Sequence, residues 1–436
     1  MAVTSSPAAA VRTSRAGSAP CPPPSAATAP STSPPPSAAP PPSAAPLPSA
    51  GPPPASGAWF PGEPVGDRRS VAVGDLRLES GRVLPDVEMT YESWGVPDED
   101  GGNVVLVCHA LTGDSHVVGP QGEGHPTPGW WEGLVGPGLP LDTDRWCVLA
   151  PNALGGCRGT TGPASPSPDG RPWGSRFPAV TVRDQVAAEE ALADALGVGS
   201  FALVVGGSMG GMRALEWAVG APDRVRRVLV LAACAEASAD QIAWAAAQLA
   251  AIEGDPGYAG GDYHGAPAGT GPHHGLGVAR RIAHTTYRSA QEVDARFGRR
   301  AQEGEDPARG GRYAVESYLD HHADKLVRRF DAGSYVVLTR AMNGHDVGRG
   351  RGGRARALSR VTATPLVAAV SSDRLYPVAA GEALADDLPG AGPVHVITSQ
   401  AGHDGFLVEV DAVGALVRDL LGRPGGPGRT GGRPRL

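Results

Sequence analysis

The sequence predicts an α/β fold, a mostly parallel sheet with helices on both faces and a helical insertion above its carboxyl edge. Three observations predict it. Short, continuously apolar runs alternate with helix-forming segments along most of the chain. One such run, Phe201–Val205, passes through Gly206-Gly207-Ser208-Met209-Gly210 straight into a helix. The alternation then lapses between Ala235 and His345, where the pattern is helical and broken by Gly/Pro-rich loops such as 254–277. It resumes at Pro365. Continuous apolar runs of strand length belong to strands buried on both faces, and strands separated by helices pair in parallel through right-handed crossovers.

The elements follow in order. Ser70–Arg77 and Val83–Tyr91 alternate apolar and polar residues, as antiparallel edge strands do. Asn103–Cys108 and Arg145–Ala150 read as buried strands. Arg183–Leu196 combines strong helix formers with an apolar stripe and stops at Gly197. Strand 201–205, helix 209–219 and strand 225–233 come next, then the helical insertion. Strands 365–370 and 394–398 and a last helix, about 409–421, complete the sheet. The predicted divisions are a tail over 1–56, the first part of the core over 57–235, a cap over 236–345, the second part of the core over 346–422, and a basic tail over 423–436.

Composition narrows the function. Residues 1–56 are mainly Ala, Pro, Ser and Thr, too poor in large apolar groups to offset ordering entropy, and lack the apolar core of a signal peptide. No run is long enough to span a bilayer, so no membrane role is expected. A net charge of −7 argues against a nucleic-acid partner. Five cysteines without CxxC spacing suit a reducing compartment, and the cytoplasm is the expected location. The pairs His273-His274 and His321-His322 lack a third ligand at helical spacing, so no metal is expected. Cys108 and Cys234 read as small core residues, and Cys157 as a thiol in a Gly-rich loop, open to exposure, with no base paired to it.

A serine between a buried strand and a helix, flanked by Gly206 and Gly210, has the context of a nucleophile elbow. The turn is too tight for bulk two residues either side of Ser208, and it sets the hydroxyl at a helix N-terminus, where negative charge is favoured. Such a serine needs a base and an orienting acid later in the chain. Asp373 lies in the loop after strand 365–370, and His403 in the loop after strand 394–398. Ser208, Asp373 and His403 in that order, each beyond a strand's carboxyl end, predict the α/β-hydrolase fold and a catalytic triad. The oxyanion donors are predicted to be the N–H groups of Met209 and of Leu111, in the loop after strand 103–108. Arg213, on the elbow helix, either lines the pocket or forms a structural ion pair.

Longer motifs carry a resemblance. His109-Ala-Leu-Thr-Gly-Asp-Ser-His116, Asn152-Ala-Leu-Gly-Gly-Cys-Arg-Gly-Thr-Thr-Gly162, Trp173-Gly-Ser-Arg-Phe-Pro178, Gly206–Gly211 and Gly402-His-Asp-Gly-Phe-Leu407 stand in order along the core. Within the insertion stand Ala279-Arg-Arg-Ile-Ala-His-Thr-Thr-Tyr-Arg288, Phe330-Asp-Ala-Gly-Ser-Tyr335 and His345-Asp-Val-Gly-Arg-Gly350. Together they resemble the homoserine O-acetyltransferase family, over about Phe60 to Leu421. The resemblance implies a ping-pong acyl transfer from acetyl-CoA, a co-substrate rather than a bound cofactor, to the hydroxyl of L-homoserine, in methionine biosynthesis. It implies Arg280 and Tyr287 for the acceptor's carboxylate, Asp404 for its ammonium, and a homodimer built through the cap. Residues i and i+7 of a helix share a face, so Arg280 and Tyr287 can enter one pocket. The run Arg349–Arg356 reads as a solvated loop, with the phosphates of CoA as the alternative. The rival activities are homoserine or serine O-succinyl transfer and a serine esterase or thioesterase.

Overall fold

The computed structural model describes residues 51–428, 434 and 436. Eight strands form one sheet in the order β1-β2-β4-β3-β5-β6-β7-β8. They are β1 (Arg69–Arg77), β2 (Val83–Trp94), β3 (Val104–Cys108), β4 (Cys147–Pro151), β5 (Leu203–Gly207), β6 (Arg227–Leu231), β7 (Thr364–Val370) and β8 (His395–Ile397). β1 and β2 are antiparallel, β2 joins β4 antiparallel, and every pairing from β4 to β8 is parallel. The predicted mostly parallel sheet, its two antiparallel edge strands and its helical insertion are all present.

The central strands are apolar throughout because each packs on both faces. In β3, Val104, Leu106 and Cys108 enter one core cluster while Val105 and Val107 enter the other. In β6, Val228 and Val230 are divided from Leu229 and Leu231 in the same way. This is the two-residue period of a strand with no solvent face. Helices α1 (Val182–Ala195) and α2 (Met209–Gly220) cover the first face, and the last of the described helices, Val410–Gly422, covers the second through Val413, Val417 and Leu420.

Between β6 and β7 come α3 (Ala239–Glu253), α4 (His273–Tyr287), α5 (Ala290–Phe297), α6 (Ala314–Val327) and α7 (Ala332–Asn343). Their apolar faces meet the loops at the sheet's carboxyl edge. Leu111 and Met209 share a core cluster with Ile252, Leu276, Ala279, Leu326, Phe330 and Tyr335. The cap thus seals onto the two backbone segments predicted to hold the oxyanion.

Both predicted tail boundaries shift. Residues 1–50 lie outside the described residues, but Ala55 and Ser56 are buried, and Ser56 donates a hydrogen bond to Asp331 Oδ1 (2.7 Å). Asp331 also accepts from the Tyr263 hydroxyl (2.6 Å) and the Ser334 N–H (2.7 Å), so it fixes this segment, a cap loop and the start of α7 at one point. At the other end, residues 423–428 of the predicted basic tail are also held against the sheet. The Gly426 N–H donates to Arg226 O (2.8 Å), and Thr364 Oγ1 donates to Pro424 O (2.6 Å).

Candidate active site

Ser208 links β5 to α2 with φ 57° and ψ −123°, a left-handed conformation that L-residues avoid. The surrounding glycines explain how the chain tolerates it. A Cβ on Gly210 would come within 2.0 Å of Cys108 O, and one on Gly206 within 2.3 Å of Gly210 O. The elbow is wedged against the end of β3, which is why the spacing Gly-x-Ser-x-Gly is required here.

The predicted acid and base converge on this turn. His403 Nδ1 is 2.6 Å from Asp373 Oδ2, and both groups are buried. Asp373 Oδ1 accepts from the N–H groups of Leu375 and Tyr376, each at 2.8 Å, so the carboxylate is immobilised by its own loop. The imidazole stacks on Tyr376 (ring centroids 5.1 Å, 25°) and meets the edge of Phe406. Its Nε2 is buried without a hydrogen-bond partner among the described residues, and His403 and Ser208 line one cavity. Burial opposes the charged imidazolium, but the charge and hydrogen bond of Asp373 outweigh it, and the pKa of His403 lies above the ordinary 6.5. A base must be neutral to accept a proton. The acid limb of the rate profile is therefore expected above pH 6.5, with activity lost as pH falls through it. A measured kcat/KM profile whose acid limb lay below 6.5 would contradict this pairing.

Leu111 lies in the loop after β3, and neither its N–H nor that of Met209 has an acceptor among the described residues. The loop is pinned by His109, whose Nδ1 donates to Ala110 O (2.8 Å) and whose Nε2 accepts from the Ala153 N–H (3.0 Å). Burial, with Arg213 nearby, lowers the pKa of His109 to about 3, so it stays neutral in this tautomer.

Arg280 and Tyr287 enter the same cavity from α4, as the seven-residue spacing predicts, with the guanidinium 5.6 Å from the ring centroid. The neighbouring Arg281 turns away to Asp320 (2.8 Å). Asp404 also lines the cavity, but it is paired: Arg288 Nε is 3.2 Å from Asp404 Oδ2. Arg288 closes the same cap motif as Arg280, yet sequence reasoning gave it no role. Burial raises the pKa of Asp404, and Arg288, His403 and Arg280 counter that rise.

Other candidates separate from the site. Arg213 is fully buried and makes an ion pair with Glu189, whose second oxygen accepts from Trp217 Nε1 (2.7 Å), so it is structural. Most of the run Arg349–Arg356 is exposed, as a solvated loop would be, although Arg349 pairs with Glu79 (2.8 Å) and Arg351 with Glu216, and neither of these two arginines lines the cavity. Cys157, whose Gly-rich loop left exposure open, is buried at 5%, and burial pushes its pKa to about 12.

One unpredicted group has metal-ligand spacing, with Glu92, His116 and His125 bringing their donor atoms within 4.8 Å of one another. Its geometry does not suit an ion. The two imidazoles stack at 3.7 Å and 15°, whereas a metal must lie near the plane of each ring that binds it. His116 also directs Nδ1 at Glu92 (3.0 Å) and Nε2 at the carbonyls of Gly119 (3.2 Å) and Pro120 (3.3 Å), the contacts of a charged imidazolium. Its pKa is raised accordingly, the pull of Glu92 exceeding the penalty of burial.

Comparison with known proteins adds the lineage. The family profile described as alpha/beta hydrolase fold matches residues 103–410. A homoserine O-acetyltransferase of Thermobifida fusca is 65% identical over 367 residues, covering 84% of this chain and 97% of the relative. One of Mycobacterium tuberculosis is 57% identical over 352 residues, covering 81% and 92%. The crystal structure of a homoserine O-acetyltransferase from Bacillus anthracis superposes with a TM-score of 0.75 at 27% identity, covering 82% of this chain and 98% of that one. Esterase E22 superposes at 0.73 and 25% identity, covering 81% and 99%.

Proposed function

The chain belongs to the homoserine O-acetyltransferase family of the α/β-hydrolase fold, and on that premise we propose that it transfers an acetyl group from acetyl-CoA to L-homoserine through an acetyl-Ser208 intermediate. The observation that carries this reading is the content of the Ser208 cavity. A serine beside a carboxylate-oriented histidine shares it with Arg280 and Asp404, opposite charges of the kind a zwitterionic amino acid needs.

In the first half-reaction His403 removes the Ser208 proton as the oxygen attacks the thioester carbonyl. The N–H groups of Leu111 and Met209 stabilise the oxyanion. The tetrahedral adduct collapses, the C–S bond breaks, and His403 returns the proton to the departing thiolate. In the second, His403 deprotonates the homoserine hydroxyl as it attacks the acetyl-serine carbonyl; the adduct collapses, the bond from carbon to Ser208 Oγ breaks, His403 returns the proton to Oγ, and O-acetylhomoserine leaves. Arg280, with Tyr287 beside it, holds the acceptor's carboxylate. For its ammonium to reach Asp404, the carboxylate must be shared with Arg288. Burial of the imidazole among Tyr376, Tyr287 and Phe406 keeps water from the ester, and so favours transfer over hydrolysis.

Methionine synthesis is the pathway this product implies, and both substrates suit a cytoplasmic enzyme. No described helix is long and apolar enough to cross a membrane. A homodimer through the cap helices is part of the proposal, and light scattering that returned the mass of one chain would exclude it.

The esterase neighbour keeps a second reading open, hydrolysis of the acetyl-enzyme. Thiol release from acetyl-CoA and succinyl-CoA, each with homoserine, serine or no acceptor, separates the readings. Release that requires acetyl-CoA and homoserine together is expected. Release indifferent to the acceptor would establish a thioesterase, and a preference for succinyl-CoA would reassign the donor.

A further inference from the structure

The Ser208 cavity carries more positive charge than the acceptor uses. Its lining includes Arg280, Arg288, Lys325 and Arg329 as cations and Asp404 as its carboxylate. Arg288 is committed to Asp404 and to Glu292 (3.3 Å). Arg280, Lys325 and Arg329 have no ion-pair partner among the described residues, although Arg329 Nη1 donates to Thr112 O (2.9 Å). His322, Lys325 and Leu326 of α6, with Arg329 just beyond its end, follow helical spacing and all face the cavity. Lys325 is exposed at the rim, while Arg329 sits deeper against the loop that contains Leu111.

Unpaired like charges held close together in a partly desolvated place cost stability until an anion joins them. Both groups respond to this crowding. The pKa of Lys325 is lowered by burial and by Arg329 and Arg280, and that of Arg329 falls to about 10 through burial and Arg280. A zwitterionic acceptor leaves this surplus untouched, since its carboxylate takes Arg280 and its ammonium faces Asp404. The acyl donor differs, because a CoA thioester bears a diphosphate and a 3′-phosphate. The same lining includes Thr127, Pro128 and Trp130, uncharged residues along which the donor's neutral arm can lie.

We propose that Lys325, backed by Arg329, forms an anion site at the cavity mouth that receives a phosphate group of the acyl donor. The assignment rests on the CoA-thioester reading above. Lys325 is the residue to change, because Arg329 also anchors the Thr112 carbonyl and its loss would disturb the oxyanion loop.

The experiment compares acetyl-CoA with S-acetyl-N-acetylcysteamine, a thioester without phosphates, in wild type, Lys325→Ala and Lys325→Glu, with homoserine as acceptor. The preference, kcat/KM for acetyl-CoA over that for the short thioester, is expected to fall about tenfold in Lys325→Ala and about a hundredfold in Lys325→Glu, the range for lost or reversed charge contacts. The acetyl-CoA KM should carry the change, and Lys325→Arg should restore it. Acetyl-dephospho-CoA identifies the anion: a contrast that vanishes with it assigns the 3′-phosphate, and one that persists assigns the diphosphate. Equal losses with both donors, or a shift confined to the homoserine KM, would overturn the anion site and leave the family reading intact. A wild-type enzyme with no preference for acetyl-CoA over the short thioester would overturn the anion site together with the CoA-thioester reading it rests on.

Discussion

Replacing Ser208 by alanine is expected to lower kcat by a factor on the order of 10⁴ or more, the cost of removing a triad nucleophile. The proposed cycle has no route around this oxygen. The imidazole of His403 is held in one tautomer by Asp373, and Leu111 and Met209, whose N–H groups have no acceptor among the described residues, pack in one cluster at the elbow. Without Oγ there is nothing to carry the acetyl group between substrates. The strain at φ 57° comes from Cβ, which alanine keeps, so the melting temperature of the variant should stay near that of wild type. That pairs a lost activity with a preserved fold. If more than a tenth of the activity survived, the nucleophile would have been misassigned.

The second large effect is expected from Arg280→Ala, and it should fall on one half-reaction. Arg280 approaches the loop after β3 only through a long contact to Thr112 Oγ1 (3.5 Å), and its Nε is buried without a partner among the described residues. It is poised for a ligand rather than spent on the fold. Losing a charge-assisted contact to a carboxylate should reduce kcat/KM for homoserine by about 10² to 10³. Acetylation of Ser208 by acetyl-CoA, followed as a burst of thiol release without acceptor, should change by less than about threefold. Equal losses in both half-reactions would remove Arg280 from the acceptor pocket.

What the sequence made legible was local. Apolar runs such as Asn103–Cys108 announce strands buried on two faces, and Gly206 and Gly210 announce the tight turn because a side chain at either would strike backbone. The order Ser208, Asp373, His403 follows from strand–loop alternation, and Arg280 and Tyr287 share a face because a helix repeats every 3.6 residues. What was not legible depends on residues far apart in the chain. Nothing near Asp404 signals that Arg288 of the cap closes on it, and nothing near Arg213 signals that Glu189 of α1 takes its charge. Ser56 stands in a Pro/Ala/Ser-rich stretch that composition assigns to the tail, yet one hydrogen bond to Asp331 draws it into the cap. The surplus charge of Lys325 and Arg329 emerges only when both are seen around one cavity with a single carboxylate, a sum over α4, α6 and the loop after β8.

The central claim is that an acetyl group passes through Ser208 on its way to homoserine. The most direct test is the intact mass of the protein after brief mixing with acetyl-CoA alone, and again after adding homoserine. The account predicts a gain of one acetyl group, mapped to the peptide that contains Ser208, that persists without acceptor and disappears on homoserine addition as O-acetylhomoserine forms. An unmodified protein that still makes O-acetylhomoserine at the normal rate, or an acetyl group on another residue, would contradict it.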